Sequence, residues 1–225
     1  MPDVALAYPP EEGLWRVARG EPFALREPPP PLSIRDGGVG NPFDSALGNY
    51  RVWYFATELE GCYAETLAPL RPAPAVVDAI GRDEEGFFPL GEIAADWRQR
   101  RIAVRATFPE ARPFLDVEAA RTRAVLRKEL GPLLAGLGLD DIDVPAIRSK
   151  DRRLTRIVSQ WTWEEHETPG SPPYGGIRFC SRLGSEWECW AVFEDVLPQE
   201  RERRPILRED EALGRVASLY DLVLF

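Results

Sequence analysis

The spacing of apolar positions changes several times along the chain, and each change predicts an element. In Leu14-Trp-Arg-Val17 a short strand would put Trp15 and Val17 on one face and Leu14 and Arg16 on the other. Tyr50-Arg-Val-Trp-Tyr-Phe-Ala56 is β-branched, aromatic and nearly continuous in apolar character, which predicts a central strand covered on both faces. A spacing of three and four then takes over. Leu59, Cys62, Tyr63, Thr66 and Leu67 predict a helix that Pro69 stops, with Glu65 beside the apolar stripe. Thr57-Glu-Leu-Glu60 ahead of it has the capping-box pattern.

Ile102, Val104, Ala106 and Phe108 alternate with Arg101, Ala103, Arg105 and Thr107 and predict a half-exposed strand. Residues 117 to 130 read as a helix with Leu126, Leu130, Leu133 and Leu134 inward, interrupted by Gly131-Pro132. Asp151 predicts the cap of another helix, in which Leu154, Ile157, Val158 and Trp161 form the apolar stripe while Arg152, Arg153 and Arg156 face water or a ligand. Pro/Gly-rich stretches at 26 to 42 and 169 to 176 read as loops.

Gly176 to Ser181 and Trp187 to Phe193 then form a hairpin. With Gly184-Ser185 as a two-residue turn, Cys180 falls opposite Cys189, two thiols near each other without a bond, and Ser181 lies on the face away from Cys180. Val216 to Phe225 is a last strand candidate. The sum is a mixed α+β fold, helices packed on a twisted sheet, in one domain spanning 1 to 225.

Composition narrows the function. With 44% apolar and 29% charged residues the chain can bury a core. A formal charge of −9 repels a phosphate backbone, so nucleic acid is not an expected partner. No apolar run is long enough for a membrane helix and the first ten residues lack a basic segment before an apolar one, which predicts a cytoplasmic protein. Three cysteines without metal-ligand spacing and one histidine, His166, exclude structural zinc and make a Ser-His or Cys-His nucleophile improbable. Any chemistry must lean on Arg, Glu, Tyr and Ser.

Five residues stand out: Arg16 in an apolar strand, Arg51 and Tyr54 in another, Glu65 beside an apolar stripe and Ser181 at a strand end. Each has an ordinary explanation. A strand arginine commonly reaches water over a packed stem, a helix glutamate is commonly solvated, and Ser181 and Tyr54 suit a turn and a core. Singly they indicate no site.

Their order says more. Leu14-Trp-Arg-Val17, Gly40-Asn-Pro-Phe-Asp44, Tyr50 to Ala56, Gly61-Cys-Tyr-Ala-Glu-Thr-Leu67 with Arg71-Pro72, and Gly175-Gly-Ile-Arg-Phe-Cys-Ser181 running into Cys189-Trp-Ala-Val-Phe193 follow one another as in the RES-domain family, which the chain resembles over about residues 13 to 195. A C-terminal strand extension, 196 to 225, would follow that core.

The resemblance implies an ADP-ribosyltransferase-like fold and a toxin paired with an Xre-type helix-turn-helix antitoxin, with a homodimer left open. It further implies that the chain consumes NAD by phosphorolysis or hydrolysis, or passes ADP-ribose to a protein. NAD would be a substrate, phosphate a co-substrate, and no resident cofactor or metal is implied. Carried over by position, Arg16, Tyr54, Glu65 and Ser181 would be the catalytic set, with Arg16, Asn41, Arg51 and Tyr54 around the NAD. One element departs from the family's more usual Gly-Gly-Arg-Trp-Asn, being Gly40-Asn-Pro-Phe-Asp44 here, which leaves open a member that only binds a nucleotide or a partner.

The residue types suit the chemistry. Cleaving the nicotinamide bond develops an oxocarbenium-like ribosyl cation that a carboxylate stabilises, and an arginine fork matches phosphate oxygens. The nicotinamide departs neutral, so no general acid is required.

Overall fold

The computed structural model describes residues 3–20, 24, 25, 28, 40–75, 91–110, 112–139, 141–167 and 174–225. Its frame is an eight-stranded mixed sheet. In chain order the strands are β1 (Leu6–Ala7), β2 (Leu14–Arg19), β3 (Val52–Ala56), β5 (Arg101–Thr107), β6 (Phe114–Asp116), β7 (Gly176–Cys180), β8 (Glu188–Phe193) and β9 (Gln199–Pro205). Across the sheet they run β1-β6-β7-β8-β3-β2-β5-β9, antiparallel except for the β6–β7 pair. A separate parallel pair joins β4 (Glu92–Ile93) to β10 (Val223–Leu224).

Strand alternation sorts the side chains onto two faces. One face carries the larger core, in which Val52, Ala56, Phe179, Cys189 and Ala191 meet apolar residues from helices α1 (Leu59–Leu67), α3 (Ala120–Gly136), α5 (Arg153–Glu167) and α6 (Glu211–Leu219). The other carries a smaller, aromatic core of Leu14, Trp53, Phe55, Phe108, Phe114 and Trp190. Two short helices, α2 (Ala95–Gln99) and α4 (Val144–Ile147), complete the described elements together with a 3-10 turn, Ala68–Leu70. No helix among the described residues is long and apolar enough to cross a membrane.

One seam in the sheet is nearly unpaired. β2 matches β5 over six residues and β3 matches β8 over five, yet β2 and β3 meet only at Trp15 and Ala56. Beyond that point the two strands part, and the backbone groups that would have paired need other partners. The cleft described below opens at this seam.

Several local expectations differ from the structure. The capping box does not form: Glu58 is the N-cap and makes no side-chain bond. The Thr57 hydroxyl instead donates to Glu188 at 2.5 Å and accepts from the Trp190 indole at 2.9 Å, because the adjacent end of β8 brings polar groups that need a partner. Glu60 is drawn away to Arg215 on α6. Helix α3 runs through Gly131-Pro132 rather than breaking there, since Leu126, Leu130 and Leu134 anchor both sides of the proline in the core, while Leu133 is exposed.

The tail is mainly helix α6, and only Val223–Leu224 is strand. Asp210 caps α6 by accepting from the Ala212 and Leu213 amides, and Leu213, Val216 and Ala217 are buried at helical spacing, which outweighs the β-branched residues of the segment.

The hairpin register is shifted by one residue. Ser181 pairs with Trp187 around a five-residue loop, Arg182 to Glu186, so Cys180 lies opposite Glu188 and Cys189 opposite Phe179. The two cysteines therefore sit on adjacent strands but on opposite faces, and are not the cross-strand pair expected from a two-residue turn. Most of the loops expected at 26 to 42 and 169 to 176 lies outside the described residues.

Candidate functional site

Where β2 and β3 part, an open cleft is lined by Arg16, Tyr54 and Ala56 from the strands, Cys62 and Glu65 from α1, and Asn41 from the loop before β3. Arg16 begins on the Leu14 side of the sheet and lays its guanidinium into the seam. There Nη1 donates to the Tyr54 carbonyl at 2.9 Å, and the group lies 5.5 and 5.9 Å from the Trp53 and Phe55 ring centroids. It thus replaces a ladder bond that β2 would have supplied. Burial lowers its pKa to about 10, still cationic at neutral pH, with Cys62 acting weakly the other way. On the opposite side of the seam the Cys62 thiol donates to the Trp15 carbonyl at 3.1 Å. Burial pushes that thiol up to about 12, so it is a structural donor and not a nucleophile.

Glu65 stands on the exposed flank of α1 and turns to the cleft. The Ser181 hydroxyl, fully buried just after β7, donates to Glu65 Oε1 at 2.5 Å while accepting from the Leu183 amide at 3.0 Å. The serine therefore fixes one carboxylate oxygen and leaves the other without a hydrogen bond to any described residue. Such an oxygen is free to face a developing positive charge.

Tyr54 places its ring at the cleft, but its hydroxyl is occupied. It donates to Asp44 at 2.9 Å and accepts from the Phe43 amide at 3.0 Å, and burial, reinforced by Asp44, raises its pKa well above the usual tyrosine range. Stacking on a bound ring remains open to it, whereas a hydrogen bond to a ligand does not.

Asp44, absent from the sequence-based candidates, organises the loop Gly40-Asn-Pro-Phe-Asp44. It is buried and also accepts from the Asn41 amide at 2.9 Å and the Asn41 side chain at 3.4 Å. Gly40 adopts φ +102°, and a Cβ there would lie 2.3 Å from Arg156 Nη2 and 3.0 Å from Asp44 Oδ2. Only glycine permits that approach. Arg156, expected to face water or a ligand, is buried because the loop covers it. Ser159 adds a bond to the Phe43 carbonyl at 2.7 Å, tying the loop to α5.

Asp44→Ala is expected to cost about 1–3 kcal/mol, since it strands the buried Tyr54 hydroxyl and the Asn41 amide. Denaturant unfolding checks this, and stability equal to wild type would mean that the loop is held elsewhere.

Of the remaining candidates, Asn41 sits exposed at the cleft lip. Arg51 does not line the cleft: it precedes β3 on the parity of Trp53 and Phe55, and alternation sends it to the aromatic side. Arg152, half-buried just before α5, has its pKa lowered first by burial and then by Arg182, with Glu65 partly offsetting both. Among the described residues no group of three His, Cys, Asp or Glu side chains could hold a metal ion.

No family model and no curated protein matches the chain. Among solved structures, a chain in the crystal structure of the M. tuberculosis MbcT–MbcA toxin–antitoxin complex is similar, with a TM-score of 0.50 and 12% identity over 96% of this chain and 90% of that one. At that identity the likeness is one of fold, and its span is too long to leave out the segment from 196 onward.

Proposed function

We propose that this chain is the toxin of a toxin–antitoxin pair and consumes NAD by cleaving its nicotinamide–ribose bond, with phosphate or water as the acceptor. The observation that carries the reading is the Ser181–Glu65 hydrogen bond, which holds a carboxylate with one free oxygen at the mouth of a cleft floored by a cationic arginine. The fold shared with a chain of the MbcT–MbcA complex supports the toxin role and an antitoxin as partner. The motif order supports the RES family, its ADP-ribosyltransferase-like fold and an Xre-type partner. In this reading the toxin acts on cellular NAD, in the cytoplasm.

In this reading the Arg16 head, charged below about pH 10, meets the substrate's diphosphate. The Tyr54 ring packs against the nicotinamide. As the C–N bond lengthens, the bonding electrons leave with the nicotinamide, which becomes neutral, and positive charge grows on the ribosyl carbon. Glu65 stabilises that charge, and Ser181 keeps the carboxylate aimed. The Tyr54 and Cys62 pKa values are raised, so neither group supplies a base, which agrees with a reaction that needs no proton transfer to its leaving group.

Expression of the chain without its partner is expected to lower cellular NAD and arrest growth. Unchanged NAD after confirmed soluble expression would contradict the reading.

A further inference from the structure

Glu65 is aimed by Ser181, and Ser181 sits where a strand gives way to a loop. β7 ends at Cys180, and the loop from Arg182 to Glu186 carries the chain round to β8. On the β8 side the Ser181 amide donates to the Trp187 carbonyl at 2.8 Å. On the β6 side the ladder runs out: β6 stops at Asp116, opposite Arg178, and the Val117 amide then donates to the Arg178 carbonyl at 3.2 Å. The Cys180 amide lies beyond that point and needs a partner that the β6 backbone does not supply.

A side chain supplies it. Glu118, two residues after β6, accepts from the Cys180 amide on Oε1 at 3.0 Å. Arg148, at the C-terminal end of α4, grips the same carboxylate as a fork, with Nε donating to Oε1 at 3.2 Å and Nη2 to Oε2 at 2.9 Å. Its third nitrogen, Nη1, donates to the Ser185 hydroxyl at 2.8 Å, in the loop that follows Ser181. The pair is largely buried, the Glu118 side chain being 11% exposed and that of Arg148 22%. A charged, two-bonded fork in such a place fixes direction as well as distance. It holds the chain on both sides of Ser181, at Cys180 before it and at Ser185 after it. Neither residue lines the cleft, so neither is placed to touch a substrate there.

We propose that Glu118 and Arg148 are positioning residues, which set Ser181 and through it the Glu65 carboxylate. The consequence for catalysis rests on the NAD reading, whereas the effect on Ser181 does not. A displaced Ser181 hydroxyl would release the Glu65 oxygen that it bonds at 2.5 Å and would leave the Leu183 amide, which donates to it at 3.0 Å, without an acceptor. A shift of about 1 Å, caused far from the chemistry, can cost up to about a hundredfold in rate.

The test is Arg148→Lys in the full chain. Lysine keeps the positive charge and removes the fork, since one ammonium group does not span Glu118 and Ser185 as three guanidinium nitrogens do. Without NAD, the Leu183 amide of the folded variant is expected to exchange its hydrogen about tenfold faster by NMR, while amides of β3 and β5 keep their rates. With NAD, kcat for nicotinamide release is expected to fall about tenfold and the NAD KM to stay within about twofold. Ser185→Ala changes an exposed position, so the fold is not at risk. It cuts only the loop side of the clamp, and a smaller change of the same kind is expected in both measurements. Leu183 exchange unchanged in both variants overturns the proposal, as does a folded Arg148→Lys chain with unchanged kcat or a change confined to the NAD KM. Faster Leu183 exchange in the variants of a chain whose wild type releases no nicotinamide overturns the NAD reading and supports the positioning of Ser181.

Discussion

Glu65→Gln is expected to reduce nicotinamide release at least a hundredfold while changing stability by no more than about 0.5 kcal/mol. The substitution keeps the side chain's shape, and an amide oxygen can still accept from Ser181, which donates to Oε1 at 2.5 Å. What is lost is the negative charge opposite the ribosyl cation. A hundredfold loss corresponds to about 2.7 kcal/mol of transition-state stabilisation, within the range of one well-placed electrostatic group. The position is exposed, so nothing in the packing should convert the change into unfolding. Near-normal turnover in the folded variant would make Glu65 a solvated helix residue.

Arg16→Ala is expected to act on stability and on substrate binding together. The Tyr54 carbonyl loses its donor and two aromatic faces lose their cation, a cost of about 2–4 kcal/mol. The loss of a phosphate-binding fork should raise the NAD KM tenfold or more. Arg16→Gln separates the two effects, because it keeps the packing of the aliphatic stem but carries no charge: stability should recover more than affinity does. The pH dependence has a definite sign. Burial brings Arg16 down to about 10 in the folded chain, below its ordinary value, so NAD affinity falls as pH rises through about 10. In the window between those values only the unfolded chain holds the proton, so the contribution of Arg16 to stability rises with pH there. NAD affinity and stability both unchanged in Arg16→Ala would remove the residue from the site and from the seam.

Elements with a strong local period were legible in the sequence. β3, α1, β5 and α5 were readable because alternation or helical spacing there is reinforced by burial on a known face. β9 was not, since Gln199 to Pro205 is a charged edge strand with almost every side chain exposed, and it has no apolar alternation to read. The C-terminal helix was mistaken for a strand because Val216 to Leu224 is apolar enough for either. The discriminating signal was Asp210 ahead of Leu213, Val216 and Ala217. The hairpin register missed by one because a five-residue loop, rather than a tight turn at Gly184-Ser185, joins β7 and β8.

In the site, order along the chain was enough to nominate Arg16, Tyr54, Glu65 and Ser181, which the structure brings to one cleft or, for Ser181, to a direct bond with Glu65. The role of Asp44 was not readable, because it depends on a loop folding against Arg156 more than a hundred residues away.

The central claim is tested most directly by incubating the purified, partner-free chain with NAD, with and without phosphate, and measuring free nicotinamide together with the ADP-ribose product. The account predicts one nicotinamide released for each NAD lost, with ADP-ribose or its phosphate ester as the second product. NAD left intact by the folded protein, or ADP-ribose retained on protein instead of released, would contradict it.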